Sequence, residues 1–208
     1  MPRVATVLLA LLIPAGVLSP SRVPAHPVRA GLRLIVTPHD NTARYRVREQ
    51  LARLNFPSDA IGSTSGVSGS ITLADDGSVV PAESKITVDI SALKSDRDRR
   101  DMYVSRRTLE TDRFPAVELV PTALHGLPWP LPGSGQFEFQ LDGNLTVHGT
   151  THATSWKVVA EATDSGFTGT ATTGFTFADF GLDKPQVMIV LSVDDSIHLE
   201  YVFHLRRG

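Results

Sequence analysis

The chain has 208 residues, 41% of them hydrophobic and 20% charged, and its 20 basic and 22 acidic side chains give a formal net charge of -2. That balance fits one domain with a sizeable core and excludes the positive excess that a binder of phosphate backbones needs, so no nucleic-acid partner is expected. Cysteine is absent, which excludes disulfides, thiolate metal sites, a cysteine nucleophile and a cysteine lipid anchor.

In chain order, Met1-Pro2-Arg3 carries a positive charge, Val4 to Leu18 is an almost unbroken apolar run, and Val23-Pro24-Ala25 and Val28-Arg29-Ala30 are both acceptable small-x-small cleavage sites. About fifteen apolar residues interrupted by Pro14 fall short of the roughly twenty that a spanning helix needs. A signal peptide over residues 1–30, cleaved near 25 or 30, is therefore expected, with an uncleaved anchor as the alternative. The protein is then exported to a periplasmic, cell-envelope or secreted location, with one domain over 31–208.

Strands are expected near Leu32–Thr37, Ala43–Leu54, Val67–Ala74, Lys85–Ile90, Ala116–Val120, Phe137–Val147, Thr151–Ala162, Gly166–Phe177, Val187–Val193 and Ile197–Leu205, where apolar and polar residues alternate. Asp75-Asp76-Gly77 and Asp164-Ser165-Gly166 are hairpin signals, because Asp and Gly tolerate the positive φ of tight turns. One helix is expected from about Ser95 to Glu110, opened by Ser95-Asp96 as a cap. It is rich in Arg and Asp and poor in apolar residues, so it is expected to lie on the surface and close something. Between about Pro121 and Gly135, four prolines and Trp129 mark an irregular exposed loop. Asp194-Asp195 punctuates the last two strands.

The alternation assigns faces. Tyr45 and Val47, Ile86 and Val88, Phe137 and Phe139, Trp156 and Val158, Phe175 and Phe177, Ile189 and Leu191, and Tyr201 and Phe203 each share parity within a strand. These dry faces have to meet. An all-β, antiparallel barrel of about eight strands with one short surface helix satisfies that and leaves no exposed edge, its interior either filled or just able to hold one ligand. A two-sheet sandwich with a solid core is the structural alternative.

The segment ESKITVDISALKSDRDRRDMYVSRRTLETDRFPAVELVPT, then LDGNLTVHGTTHATSWKV, then GFTFADFGLDKP, carries a resemblance. Val88-Asp89, Ser95, Arg100-Asp101, Leu109 and Phe114-Pro115 stand in one order, followed by Gly143, Leu145, Thr146 and Gly149 in a hairpin and by Asp179-Phe180-Gly181. In this order they resemble the YceI-like family of exported bacterial proteins over most of residues 40 to 208. The resemblance implies a lipocalin-like, eight-stranded antiparallel barrel whose long apolar pocket holds a polyisoprenoid chain or an isoprenoid quinone. Tyr45, Val47, Ile86, Val88, Phe137, Phe139, Trp156, Val158, Phe175, Phe177, Ile189, Leu191, Tyr201 and Phe203 are then the candidates for ligand contact. Ordinary core packing is the alternative for each.

The chain departs from the family where many members carry a Ser-x-Val-x-Phe strand running on to a His. Here the segment reads Tyr45-Arg46-Val47-Arg48-Glu49-Gln50-Leu51 and no His follows before the next strand. Glu49 shares the parity of Tyr45 and Val47, and an inward carboxylate needs a partner such as Arg or a hydroxyl. A buried pair, an exposed strand end and a head-group contact all stay open for it. Arg97, Arg99, Arg100, Arg106 and Arg107 are able to meet a pyrophosphate, but the interleaved Asp96, Asp98 and Asp101 favour a solvated, self-paired helix face.

Other chemistry finds little support. Gly62-Ser63-Thr64-Ser65-Gly66 places Thr where a hydrolase elbow needs its nucleophile, without a strand-to-helix context. His148 and His152 lie on a hairpin rather than a helix, and are read as exposed turn residues rather than zinc ligands. His198 and His204 are read as solvent-facing, and calcium at Asp179, Asp183, Asp194 and Asp195 is not favoured. Asn144-Leu145-Thr146 matters as a glycosylation triplet only in a host that glycosylates. The expectation is a non-catalytic carrier of an isoprenoid lipid or quinone with no cofactor and no metal. Its alternatives are a solid envelope module acting through protein partners, and an enzyme on a lipid substrate for which Glu49 alone volunteers.

Overall fold

The computed structural model describes residues 30–208 except Arg53 and Asp164, so the expected signal peptide and the first residue of the Asp164-Ser165-Gly166 turn lie outside the described residues. Eleven strands form one antiparallel sheet: β1 (Ala30–Val36), β2 (Thr42–Leu51), β3 (Ser58–Thr64), β4 (Val67–Ala74), β5 (Lys85–Asp89), β6 (Lys94–Ser95), β7 (Ala116–His125), β8 (Gly135–Val147), β9 (Thr150–Thr163), β10 (Gly166–Thr176) and β11 (Val190–Arg207). The order β1-β4-β5-β7-β8-β9-β10-β11 returns on itself, because β11 also pairs with β1. The result is the expected eight-stranded barrel, and closure excludes the sandwich.

β1 and β2 lie one after the other along the same edge of β11, through Leu34↔Arg207 and Val36↔Leu205, then Thr42↔Val202 and Tyr45↔Leu199. β4 and β3 continue this pattern on the far side of β1 and β2, and β5 and β6 continue it again. The first three staves of the barrel are thus long strands, each interrupted midway.

Asn41 fills the first interruption. It is 3% exposed; its amide donates to the carbonyls of Thr37 (2.8 Å) and His39 (2.9 Å), and its Oδ1 accepts from the Tyr201 hydroxyl (2.8 Å) and the His204 backbone N–H (3.1 Å). One buried amide therefore satisfies the backbone groups that the break frees and ties them to β11.

The structure corrects several expectations. β3 has few apolar residues because its inward positions, Ala60, Gly62 and Thr64, are small, and a Cβ at Gly62 would strike the Tyr45 ring. β7 runs past Val120 to His125 with Pro121 at a bulge opposite Gly143, where the missing N–H costs no ladder bond. The two expected final strands are one, with Asp194, Asp195 and Ser196 bulged opposite β2 between Val193↔Glu49 and Ile197↔Val47. The helix is shorter than Ser95–Glu110: α1 spans Asp98–Tyr103 and widens into a π turn over Val104–Thr108. Ser95 belongs to β6, where its N–H and hydroxyl both bond Asp101 Oδ1 at 2.8 and 2.6 Å, so the serine is held by the helix rather than capping it.

One end of the barrel carries the β2–β3 connection, α1, the β8–β9 turn and the segment joining β10 to β11; we call it the upper end. The lower end carries the β4–β5 connection and the β7–β8 loop, where the Trp129 indole donates to the Asp75 carbonyl (2.9 Å) and packs on Gly77 at φ +85°. Asn41→Ala removes the side-chain hydrogen bonds to Thr37, His39, Tyr201 and His204 at one buried point. A loss of about 2 to 4 kcal/mol is expected in urea unfolding, against about 1 kcal/mol for Tyr201→Phe, which removes a single donor.

Candidate functional site

The barrel interior is not filled. A cavity of about 840 Å³ runs through it, walled almost wholly by apolar side chains. Leu34, Leu73, Leu124, Phe137, Phe167 and Leu205 line its lower part, closed below by Leu127 and Leu131 of the β7–β8 loop. Val47, Val88, Val117, Val158, Ala171 and Leu199 line the wall above them. Polar side chains gather at the upper end: Tyr45, Glu49, Arg97, Asp98, Arg99, Arg100 and Thr108.

Of the candidates named from the sequence, Tyr45, Val47, Ile86, Val88, Phe137, Phe139, Trp156, Val158, Phe175, Phe177, Ile189, Tyr201 and Phe203 line this cavity. Leu191 does not; it is 66% exposed on the outer surface. Between Val190↔Leu51 and Ser192↔Gln50, β11 carries one residue more than β2, and that bulge breaks the parity that joined Leu191 to Ile189 and Val193. Sequence reading missed Leu124, Leu127 and Leu131, which sit in and beside a proline-rich stretch with no alternation to betray them, and Thr108, which lies in the π turn.

Glu49 points inward, and its partner is Arg100. The guanidinium Nη2 donates to Glu49 Oε1 at 2.6 Å, with the two side chains 13% and 9% exposed. The other arm of Arg100 pairs with Asp96. The expected self-paired helix face is thus corrected at Arg100, which is drawn into the barrel mouth, while Arg97 stays on Asp96 at 3.5 Å and Arg99, Arg106 and Arg107 are exposed. Beside this pair, the Tyr45 hydroxyl is enclosed by the cavity wall, and burial pushes its pKa up to about 12. Thr108 is 8% exposed with no hydrogen-bond partner for its hydroxyl among the described residues. Tyr201 is also pushed well above the ordinary phenol value by burial, its hydroxyl engaged by Asn41.

The residues that carried the resemblance hold the upper end together. In Asp179-Phe180-Gly181, the Asp179 carboxylate accepts from the Thr176 N–H (2.7 Å), Phe180 is fully buried against Phe175 at 4.5 Å between ring centroids, and Gly181 takes φ +62° to turn the chain. Phe114 packs on His148 at 4.5 Å, over the β8–β9 turn where His148 and Gly149 both have positive φ. His148 Nε2 donates to Glu110 Oε2 at 2.9 Å, which holds that carboxyl below its usual range. His148 is accordingly half-buried and tied, rather than the exposed turn residue expected, and His152 lies edge-on to Phe180. His198 is exposed as expected, and His204 is half-buried. Asp195 pairs with Lys184 at 3.1 Å.

A closed antiparallel barrel of eight strands around a long apolar cavity places the chain among lipocalin-like folds. The sequence model of the YceI-like domain matches residues 37–205, and the chain belongs to the YceI-like family. Among curated proteins, none matches it in sequence. Its fold is similar to that of a polyisoprenoid-binding domain from Saccharophagus degradans implicated in plant cell wall breakdown, at a TM-score of 0.60 and 9% identity over 86% of this chain and 100% of that one. It is similar also to Burkholderia cenocepacia BcnA, with TM-score 0.58 and 14% identity over 81% and 98%, and to the Campylobacter jejuni YceI protein, with TM-score 0.56 and 14% identity over 76% and 90%. At these identities the likeness is one of fold.

Glu49→Leu strands a buried guanidinium and is expected to cost about 3 to 5 kcal/mol in urea unfolding, whereas Glu49→Leu combined with Arg100→Met recovers most of the loss. The raised tyrosine values set an alkaline limit. Stability they contribute is complete below the unfolded value of about 10 and falls as pH rises toward the folded value of about 12 at Tyr45. Urea midpoints are expected to hold up to that lower value and then drop, and Tyr45→Phe should make the drop shallower.

Proposed function

We propose that the protein is an exported, non-catalytic carrier of a lipophilic isoprenoid, either a polyprenyl chain or an isoprenoid quinone, held in the barrel interior. The observation that carries this reading is the apolar cavity of about 840 Å³, most of whose polar side chains gather at one end. Such a volume falls within the common range of ligand sites and argues against the solid-core alternative. An isoprenoid tail gains about 0.8 kcal/mol for each buried CH₂, less the cost of ordering it, and the wall offers little else for a ligand to bind.

Family membership and the printed description of the Saccharophagus degradans domain as polyisoprenoid-binding support the same ligand class. For the head group, the inner part of the polar end, inside the rim where Arg99 stands, favours a neutral one. The Arg100 charge is already shared between Glu49 and Asp96, so a pyrophosphate would have to displace a carboxylate. The hydroxyls of Tyr45 and Thr108 remain to serve an oxygen-bearing head such as a quinone. The same pairing supports a carrier over an enzyme: Glu49 is tied as an ion-pair partner, and a phenol titrating at about 12 is no base at neutral pH.

Native mass spectrometry of the purified protein, followed by organic extraction, is expected to find a stoichiometric isoprenoid. Bare protein that also refuses added polyprenols and quinones would sink the carrier reading. Ala171→Phe places a ring in the cavity and is expected to lower retained lipid about tenfold or more while leaving the circular dichroism spectrum unchanged.

A further inference from the structure

Six of the eight large apolar side chains exposed among the described residues lie at the upper end: Leu54, Phe56, Met102, Met188, Ile189 and Leu191. Phe56 is 80% exposed and Met188 98%. They are neighbours in space, although they come from three segments. The Ala52 N–H donates to the Ile189 carbonyl at 3.0 Å, joining the β2–β3 connection to the start of β11. The Gln186 N–H reaches the Tyr103 hydroxyl at 3.4 Å, joining that same start to α1. Ile189 belongs both to this surface and to the cavity wall, so the apolar fringe is continuous with the apolar interior. Exposed apolar patches of this kind mark interaction sites rather than ordinary surface.

The charge beside the fringe selects the partner. Arg99, Met102 and Arg106 follow at three- and four-residue spacing along one side of α1 and the turn after it, and all three are exposed. Arg99, Arg106 and Arg107 have no carboxylate within ion-pair distance among the described residues, whereas Asp96, Asp101 and Glu110 of the same segment are taken up by Arg100, Lys94 and Arg113. Residues 94–113 carry seven basic and five acidic side chains, a local excess of two in a chain whose total is -2. Asp98 and Asp112 of this segment and Asp183 and Asp194 near Met188 are also exposed, so the cationic character sits on the Arg99–Arg107 side, and apolar side chains flanked there by free arginines match a surface with anionic groups above hydrocarbon. A second copy of the chain fits less well, since a two-fold contact would bring the same arginines face to face.

We infer that the upper end docks on an anionic lipid bilayer, with Phe56 and Met188 entering the hydrocarbon and Arg99, Arg106 and Arg107 meeting lipid phosphates, so that the cavity mouth opens onto the membrane. An apolar ligand then passes between bilayer and barrel without crossing water. The docking goes beyond the carrier reading and is measured without reference to what the cavity holds, so its failure leaves that reading standing.

The test is co-sedimentation of the purified protein with phosphatidylcholine vesicles, with and without phosphatidylglycerol. Binding to the anionic vesicles is expected to be at least about tenfold tighter and to weaken with added salt. Phe56→Asp with Met188→Asp, both at exposed positions that leave the fold intact by thermal melting, is expected to abolish it. Arg99→Glu with Arg106→Glu should remove the preference for anionic lipid, at about fivefold for each arginine. Absence of binding to either vesicle, or binding unaltered by Phe56→Asp with Met188→Asp, overturns the inference. So does a dimer in analytical ultracentrifugation that this double variant dissolves without any vesicle binding, which assigns the face to a second copy instead.

Discussion

Everything in this protein depends on how β11 closes the ring. It pairs with β10 from Ser196 to Arg206 on one side and with β2 and then β1 on the other. No sheet edge is left along that seam, which matters in a fold where unpaired N–H and C=O groups invite association. Two straight edges would not meet with the required tilt, and the seam accommodates this by breaking its first stave at residues 37–41 and bulging β11 at Asp194–Ser196. Asn41 is what makes the break tolerable, because its amide bonds the backbone of Thr37, His39 and His204 and the Tyr201 hydroxyl at the point where the break meets β11.

Closure with eight staves leaves an interior that side chains are just able to fill, and here they do not. The wall alternates bulky and minimal residues: Tyr45 lies over Gly62, and Phe203 lies over Gly169, where a Cβ would come within 2.7 Å of the Phe203 ring. With Ala60, Ala160 and Ala171 also facing inward, the large rings fold against neighbouring wall positions instead of meeting across the axis. The open volume follows from that arrangement. The two ends are treated differently: Leu127, Leu131 and the Trp129 loop close the lower, while α1 and the Asp179-Phe180-Gly181 turn border the mouth at the upper.

Alternation in the sequence revealed the inward faces of β2, β5, β8, β9, β10 and β11, since a barrel with one apolar side imposes period two on each stave. It could not reveal β3, whose inward residues are small for the sake of Tyr45, nor the bulge that turns Leu191 outward, since a bulge depends on the partner strand and leaves no mark on its own. The parity of Glu49 was legible and its need for a partner followed from desolvation, but Arg100 stands 51 residues away in a segment whose mixed charges read as surface. The motif residues showed only that the family was present. Their work became visible in three dimensions: Ser95 on Asp101, Phe114 on the β8–β9 turn and Phe180 under Phe175, all holding the elements that frame the upper end.

That frame explains why the interior stays apolar in spite of the arginine-rich segment laid across it. A guanidinium taken out of water retains its charge, so its cost has to be met locally by carboxylates rather than by a shift of pKa. Glu49 from the wall and Asp96 from the segment before α1 meet it from two sides, fixing α1 against β2 and spending the charge at the same time. A single carboxylate would leave one guanidinium arm free to draw water or an anion into the mouth. With two, the Arg100 charge is spent before any ligand arrives, and what lies beside it is hydrocarbon below and the hydroxyls of Tyr45 and Thr108, with Arg97, Asp98 and Arg99 at the outer rim. Charge recognition is displaced outward to Arg99 at the rim of the mouth and to the exposed Arg106 and Arg107, so one short basic segment turns a paired arginine inward and unpaired arginines outward.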